Sequence, residues 1–448
     1  MFIDFLLEIF RERRTAEAII WKDTPYRYDW LLERIAHWQD ALVAEKITPG
    51  NVVVLETDFS PNAVAVFLAL VGRGCILVPL TTLVEAKKAE FTETAQAELM
   101  LRLDDQDSLS LIRHPRRADH ELYQRLREVG HPGLVLFSSG STGKSKAAVH
   151  DFSGLLKKFH IRRHNLRTLT FLLFDHIGGI DTMLYSLSNG SCIITVQDRS
   201  PDAVCRAIEQ HRVDVLPVTP TFLNLLLLSE AYTRYDLSSL KYITYGTEVM
   251  PETTLKRCAE LFPDVTILQK YGTTEVGTLR SKSKDSASLW VKVGGEGYRT
   301  RVVDGILQIK ADSAMLGYLN APSPFTEDGW FITGDSVIQD GEYLRILGRK
   351  SEIINVGGEK VYPAEVENVI QGMDNIAEVV VYGEKNPIIG QIVCARVTPV
   401  RDEDPKHLTS RIKAYCRERM ENYKVPVKIE IVDRAQHSAR FKKTRPRE

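Results

Sequence analysis

The densest run of residues able to do chemistry is Leu136-Phe137-Ser138-Ser139-Gly140-Ser141-Thr142-Gly143-Lys144-Ser145-Lys146, an apolar strand that opens into hydroxyls, glycines and lysines. Glycines let backbone amides turn inward as an anion-binding nest, hydroxyls add donors, and lysines supply charge, so the segment suits phosphate. A plain surface turn would not need five hydroxyls beside two lysines. A rival is the G-x-x-x-x-G-K-[ST] loop of P-loop nucleotidases. Gly143-Lys144-Ser145 matches its second half, but Ser138 stands where its first glycine belongs.

Further candidates are spread along the chain: Phe174-Asp175-His176, Tyr245-Gly246-Thr247-Glu248, Tyr271-Gly272-Thr273-Thr274-Glu275, Thr333-Gly334-Asp335, Gly348-Arg349-Lys350, Gly357-Gly358-Glu359, and the basic ending Arg440-Phe441-Lys442-Lys443. Glu275 has the chemistry of a Mg²⁺ ligand, because that ion prefers hard oxygens and is usually held by few carboxylates plus phosphate. Taken singly, each has a bland alternative: a solvated carboxylate for Glu275, a turn residue for Asp335, a surface arginine for Arg349, a structural histidine for His176, a solvated tail for the lysines.

Taken in order, the segments resemble the adenylate-forming superfamily of acyl-CoA synthetases, peptide-synthetase adenylation domains and firefly luciferase. The loop resembles its phosphate loop, Tyr271-Gly272-Thr273-Thr274-Glu275 its Tyr-Gly-x-Thr-Glu, Thr333-Gly334-Asp335 its Thr-Gly-Asp, and Gly348-Arg349-Lys350 its hinge region. Gly357 to Glu367 resembles the segment after the hinge. The resemblance runs from about Val52 to the C-terminus.

The resemblance implies ATP-dependent activation of a small-molecule carboxylic acid as acyl-adenylate, then transfer to coenzyme A or to a carrier protein's phosphopantetheine. By that resemblance Ser138, Ser139, Gly140, Ser141, Thr142, Gly143 and Lys146 would hold phosphates. Gly246, Thr247, Tyr271, Gly272 and Thr273 would hold the nucleotide, with Tyr271 against adenine. Thr274 would touch the α-phosphate, Glu275 would hold Mg²⁺, Asp335 and Arg349 would reach the ribose, and Gly357 and Gly358 would flank a pantetheine tunnel. Asp175 or His176 would face the acyl pocket. Lys442, with Lys443 in reserve, would bridge the carboxylate and the α-phosphate. Three departures stand out: Tyr245 replaces a glycine of the adenine-binding segment, Ser351 an Asp or Lys after the hinge, and Phe441 the glycine before the catalytic lysine. A P-loop kinase or ATPase and a non-catalytic nucleotide-binding relative are the other classes that fit parts of the pattern.

The elements that must carry these residues follow from patterning. From about Asn51 to Lys310, short β-rich runs (NVVVLE, CILVP, LVLF, SCIITV, DVLPV, YITY, GILQIK) alternate with longer stretches of helical period, which predicts an α/β fold. The expectation is a large N-terminal domain, 1–348, of mostly parallel sheets sandwiched by helices, and a small mobile α+β domain, 349–448. The small domain reads helix from Pro363, strands from Ile376 and Gly390, helix from Lys406 to Tyr423, and strand from Val427. MFIDFLLEIFRERR reads as an amphipathic helix docked on the body. The longest apolar run, Ala63 to Gly72, is far short of the roughly 20 residues that span a bilayer. With 58 Lys and Arg against 59 Asp and Glu, no bulk field favours nucleic acid. The six cysteines contain no Cys-x-x-Cys pair, which points to a cytoplasmic setting without zinc or a disulfide framework. Oligomeric state is not legible.

Overall fold

The computed structural model describes residues 1–139 and 145–446. Two seven-stranded sheets form the body. One runs Thr266–Gln269, Tyr242–Tyr245, Val215–Val218, Thr168–Thr170, Ile193–Thr195, Glu17–Trp21 and Thr24–Arg27, parallel except for the last pair. The other is parallel through Gly133–Ser139, Ile76–Leu80, Val52–Glu56 and Leu99–Leu103, with antiparallel strands at both edges.

The helix Pro61–Arg73 shows how these layers join. Ser60 caps it by accepting from the Ala63 amide, Pro61 occupies the first turn, and Gly74 ends it in the left-handed conformation. Its residues are apolar all round, and Ala63 through Val71 are all at 0% exposure. A helix without a polar face belongs inside a core, and this one packs with Phe152, Phe174 and the N-terminal helix Asp4–Glu12 in one cluster. The N-terminal helix buries Leu6, Leu7, Ile9 and Phe10 on one side, as its amphipathic pattern predicts. No described helix is long and apolar enough to cross a membrane.

A third sheet corrects the expectation of parallel α/β layering up to Lys310. Arg280–Ser283, Val291–Gly294, Tyr343–Arg349, Phe331–Asp340, Ile306–Ala311 and Tyr298–Val303 form a wholly antiparallel layer that includes the GILQIK run. The turns Val303–Ile306 and Asp340–Tyr343 are too short to hold crossover helices, and between Ala311 and Phe331 the chain leaves this layer to pair Gly317–Tyr318 with the edge of the second sheet.

Beyond Arg349 the chain builds a separate cluster around Ile354, Val366, Ile370, Val379, Val381 and Val397. Strand Ile376–Asn386 pairs with Gly390–Pro399, on which Lys428–Ile431 lies parallel, with helices Pro363–Gln371 and Pro405–Arg417 alongside. The second helix stops at Arg417, short of the predicted Tyr423. Glu418 closes it, and the chain re-coils only as a short turn at Asn422–Lys424.

Candidate active site

Parallel strands deliver loops to one edge, and ligand sites of open α/β sheets sit outside their carboxyl ends. Here those ends supply Thr81, Ser138, Phe171 to His176, Thr219 and Thr221, Gly246 to Glu248, and Lys270 to Glu275. Ser138 lies opposite Lys146, and Ser139, the last residue of its strand, opposite Ser145. Gly140, Ser141, Thr142 and Gly143 lie outside the described residues. Lys146 places its ammonium 5.3 Å from the centre of the Tyr318 ring. The hydroxyl of the same tyrosine donates to Glu275 Oε1 at 2.6 Å. The loop lysine and the metal-type carboxylate therefore meet at one aromatic ring.

The Tyr271 to Glu275 turn is held from behind. Buried His150 donates from Nε2 to the Thr274 carbonyl at 2.7 Å, and the Met315 amide donates to the Glu275 carbonyl at 2.7 Å. Gly272 tolerates no side chain, since a Cβ would lie 2.8 Å from the Gly277 carbonyl oxygen. A Cβ on Gly246 would meet the Lys270 carbonyl oxygen at 2.6 Å, which explains why glycine survives there although Tyr245 replaces its neighbour. Thr247 follows with a left-handed φ of 74°. The buried Thr273 Oγ1 has no hydrogen-bond partner among the described residues, and an orphaned buried hydroxyl is where a ligand group fits.

Asp335 and Arg349 are cross-strand partners on Phe331–Asp340 and Tyr343–Arg349, so their side chains share a face. Arg349 Nε lies 3.3 Å from Asp335 Oδ1, and the Tyr271 hydroxyl donates to Asp335 Oδ2 at 2.5 Å. Burial pushes the Asp335 pKa up, with Arg349 and the Tyr271 hydroxyl opposing it. Burial also raises the Tyr271 phenol, reinforced by Asp335. The cluster joins the body to the first residue past the predicted boundary.

The two candidates for the acyl side have different occupations. His176 is the N-cap of helix Ile177–Ser188, its Nδ1 accepting the Gly178 amide at 3.0 Å, and burial holds its pKa well below the usual histidine value. Its ring also lines a narrow cavity with Phe171, Leu173, Arg199 and Lys442. Asp175 is buried, and its Oδ2 accepts from Thr81 Oγ1 at 3.1 Å and from Arg440 at 2.5 Å.

The C-terminal tail enters this cleft. Thr219 Oγ1 donates to the Phe441 carbonyl at 2.7 Å, and the Lys443 amide donates to Glu248 Oε1 at 2.5 Å, fixing the backbone on either side of Lys442. Phe441 adopts a left-handed φ of 52°, as the glycine it replaces could, while its ring packs 5.2 Å from Phe171 and 5.7 Å from Phe222. Lys443 is committed to Glu367 at 2.8 Å. The Lys442 ammonium makes no hydrogen bond or ion pair among the described residues, and burial lowers its pKa to about 8 against the pull of Glu248 and Asp175. Geometry thus separates two lysines that the sequence left side by side.

Gly357 and Gly358 form the exposed turn between Ile354–Val356 and Glu359–Val361, with left-handed φ values of 58° and 97°. Glu248, Arg440 and Tyr318 escaped the sequence reading. Glu248 and Arg440 were in view beside Thr247 and Phe441 but carried no assigned part, and nothing local marks Tyr318.

Comparison with known proteins agrees with this architecture. The family model described as AMP-binding enzyme matches residues 8–304, and that of its C-terminal domain matches 365–442. The chain belongs to the AMP-binding enzyme family, the adenylate-forming enzymes. It is 32% identical over 337 residues to an indoleacetate–CoA ligase of Aromatoleum aromaticum, covering 69% of this chain and 65% of that one. It is 28% identical over 488 residues to a 3-[(3aS,4S,7aS)-7a-methyl-1,5-dioxo-octahydro-1H-inden-4-yl]propanoyl:CoA ligase of Mycobacterium tuberculosis, covering 96% and 94%. Among solved structures, an anthranilate CoA ligase in complex with anthranoyl-AMP superposes with a TM-score of 0.81 at 20% identity, covering 99% and 95%, and shares the fold.

Proposed function

We propose that this chain is an AMP-forming acid:CoA ligase that activates a non-amino carboxylic acid. The observation that carries the reading is Lys442. A lysine from the last residues of the chain is pinned by Thr219 and Glu248 into the cleft that holds Asp335, Arg349 and the Tyr271 to Glu275 turn, with its ammonium uncommitted. The names of the relatives, CoA ligases for indoleacetate and for a polycyclic propanoate, support the acid and the acceptor.

In the first half-reaction a carboxylate oxygen attacks the α-phosphorus of ATP and pyrophosphate leaves. Two anions must be brought together, so the residues' task is charge neutralisation and alignment. Lys442 bridges the incoming carboxylate and the α-phosphate, Thr274 contacts that phosphate, and Ser138, Lys146 and their loop hold the departing pyrophosphate. Asp335 accepts from the ribose, Arg349 steadies it, and Tyr271 lines the base. Glu275 suits Mg²⁺, because Tyr318 occupies only Oε1 and leaves Oε2 for an ion that takes few carboxylates. When bound, Mg²⁺ would neutralise phosphate charge there. In the second half-reaction a pantetheine thiolate attacks the acyl carbonyl and AMP leaves. Residues 349–448 act as the mobile unit, turning near Arg349 to withdraw Lys442 and present Gly357 and Gly358 to the pantetheine arm.

The test is acid-dependent release of pyrophosphate and AMP over a panel of aryl, indolyl, polycyclic, fatty and amino acids, with and without coenzyme A. Thioester formation with one non-amino class supports the proposal, and release driven only by amino acids refutes the acid class.

A further inference from the structure

Four consecutive tail residues divide their work unevenly. The Arg440 guanidinium bonds Asp175, the Phe441 ring fills the space between Phe171 and Phe222, and the Lys443 ammonium bonds Glu367, so among these described side chains Lys442 alone is unspent. Asp175 is the stranger partner. It precedes helix Ile177–Ser188 at 7% exposure, Thr81 and Arg440 both use its Oδ2, and its Oδ1 is buried with no partner among the described residues. A buried carboxylate left without a cation is unfavourable, and 265 positions of chain separate this one from the arginine that serves it.

We propose that Asp175 and Arg440 are positioning residues for adenylation: the pair orients the tail so that Lys442 points at the reacting atoms. It acts as the side-chain anchor beside the two backbone anchors at Phe441 and Lys443. This rests on the proposed function and deepens it, since aiming Lys442 matters only where it joins the carboxylate to the α-phosphate.

The test compares the full-length wild type with Arg440→Ala, Arg440→Lys, Asp175→Asn and the Asp175→Asn/Arg440→Ala double variant. Each is followed by hydrogen exchange of the tail amides and by the two half-reactions assayed separately. Arg440→Ala and Asp175→Asn should speed exchange at Phe441 to Lys443 and lower acid-dependent pyrophosphate release by at least about tenfold, while transfer from supplied acyl-adenylate stays within about twofold. Arg440→Lys should recover most of the loss. The double variant should be no worse than Arg440→Ala, because both remove one interaction. Unchanged tail exchange, equal loss in both half-reactions, or additive losses would overturn the proposal. A wild type that adenylates no acid would sink the proposed function instead, and the exchange comparison would still decide whether the pair holds the tail.

Discussion

At the scale of single residues, chemistry is divided by how each charge is paired. Lys442 is the residue whose state should be visible in a pH profile. Its ammonium is the form that bridges two anions, and burial brings its pKa to about 8, so the charged form dominates below that pH and is lost above it. kcat/KM for adenylation, which reports the free enzyme, should fall through an upper limb near pH 8. Lys442→Arg, charged at every accessible pH, should lack that limb. Lys442→Ala should reduce adenylate formation by at least about tenfold more than transfer from supplied acyl-adenylate, and equal loss in both steps would move the role elsewhere. The resemblance ranked this residue ahead of Lys443, its reserve, without a physical reason for the choice. What distinguishes the two is Glu367, which binds Lys443 from 76 positions away. The Asp175 or His176 alternative was undecidable for the same reason: one accepts a helix amide two residues on, the other an arginine at the far end of the chain.

At the scale of elements, strand register does the positioning. Asp335 and Arg349 were legible as motif residues, but their meeting depends on the Asp335 to Arg349 pairing, which two motifs read separately do not reveal. Asp335→Ala should raise the KM for ATP by about tenfold or more, the size of a lost hydrogen bond to a charged group, with less effect on kcat. A KM within twofold of wild type would remove Asp335 from the nucleotide site. Parallel strands were legible because burial on both faces writes continuous apolar runs, as in VVVLE and ILVPL. The antiparallel layer was not, because Arg280–Ser283 and Tyr298–Val303 face partly outward and carry polar residues that blur strand patterning. The stop at Arg417 was missed because the apolar spacing carries on past the helix through Met420 and Tyr423, which pack on the same small core.

At the scale of the whole molecule, the tail ties the C-terminal unit to itself as well as to the body. Glu367, buried in helix Pro363–Gln371, accepts from Lys443, Arg445 and the Val381 amide. Burial raises its pKa, but the Lys443 and Arg445 charges overcome this and hold it below the usual glutamate value. A depressed carboxylate contributes stability above its unfolded pKa and loses it as pH falls through the folded value. Glu367→Ala should therefore destabilise the C-terminal unit at pH 7 by on the order of 3 kcal/mol. The gap from wild type should narrow as pH falls below the ordinary glutamate pKa and through the lowered folded one, as read by thermal unfolding; a pH-independent gap would assign the loss to packing. A large body with a smaller C-terminal unit was legible in the change of texture, and the resemblance led to the expectation of a tail lysine at the reacting groups, whereas the anchors of that tail, Thr219, Glu248 and Asp175, were not legible because each lies far from it in the chain. The most direct test of the account is product analysis with Mg-ATP, coenzyme A and the acid panel: acid-dependent pyrophosphate and AMP in equal amounts, with a thioester, is the predicted result, and acid-dependent ADP would contradict it.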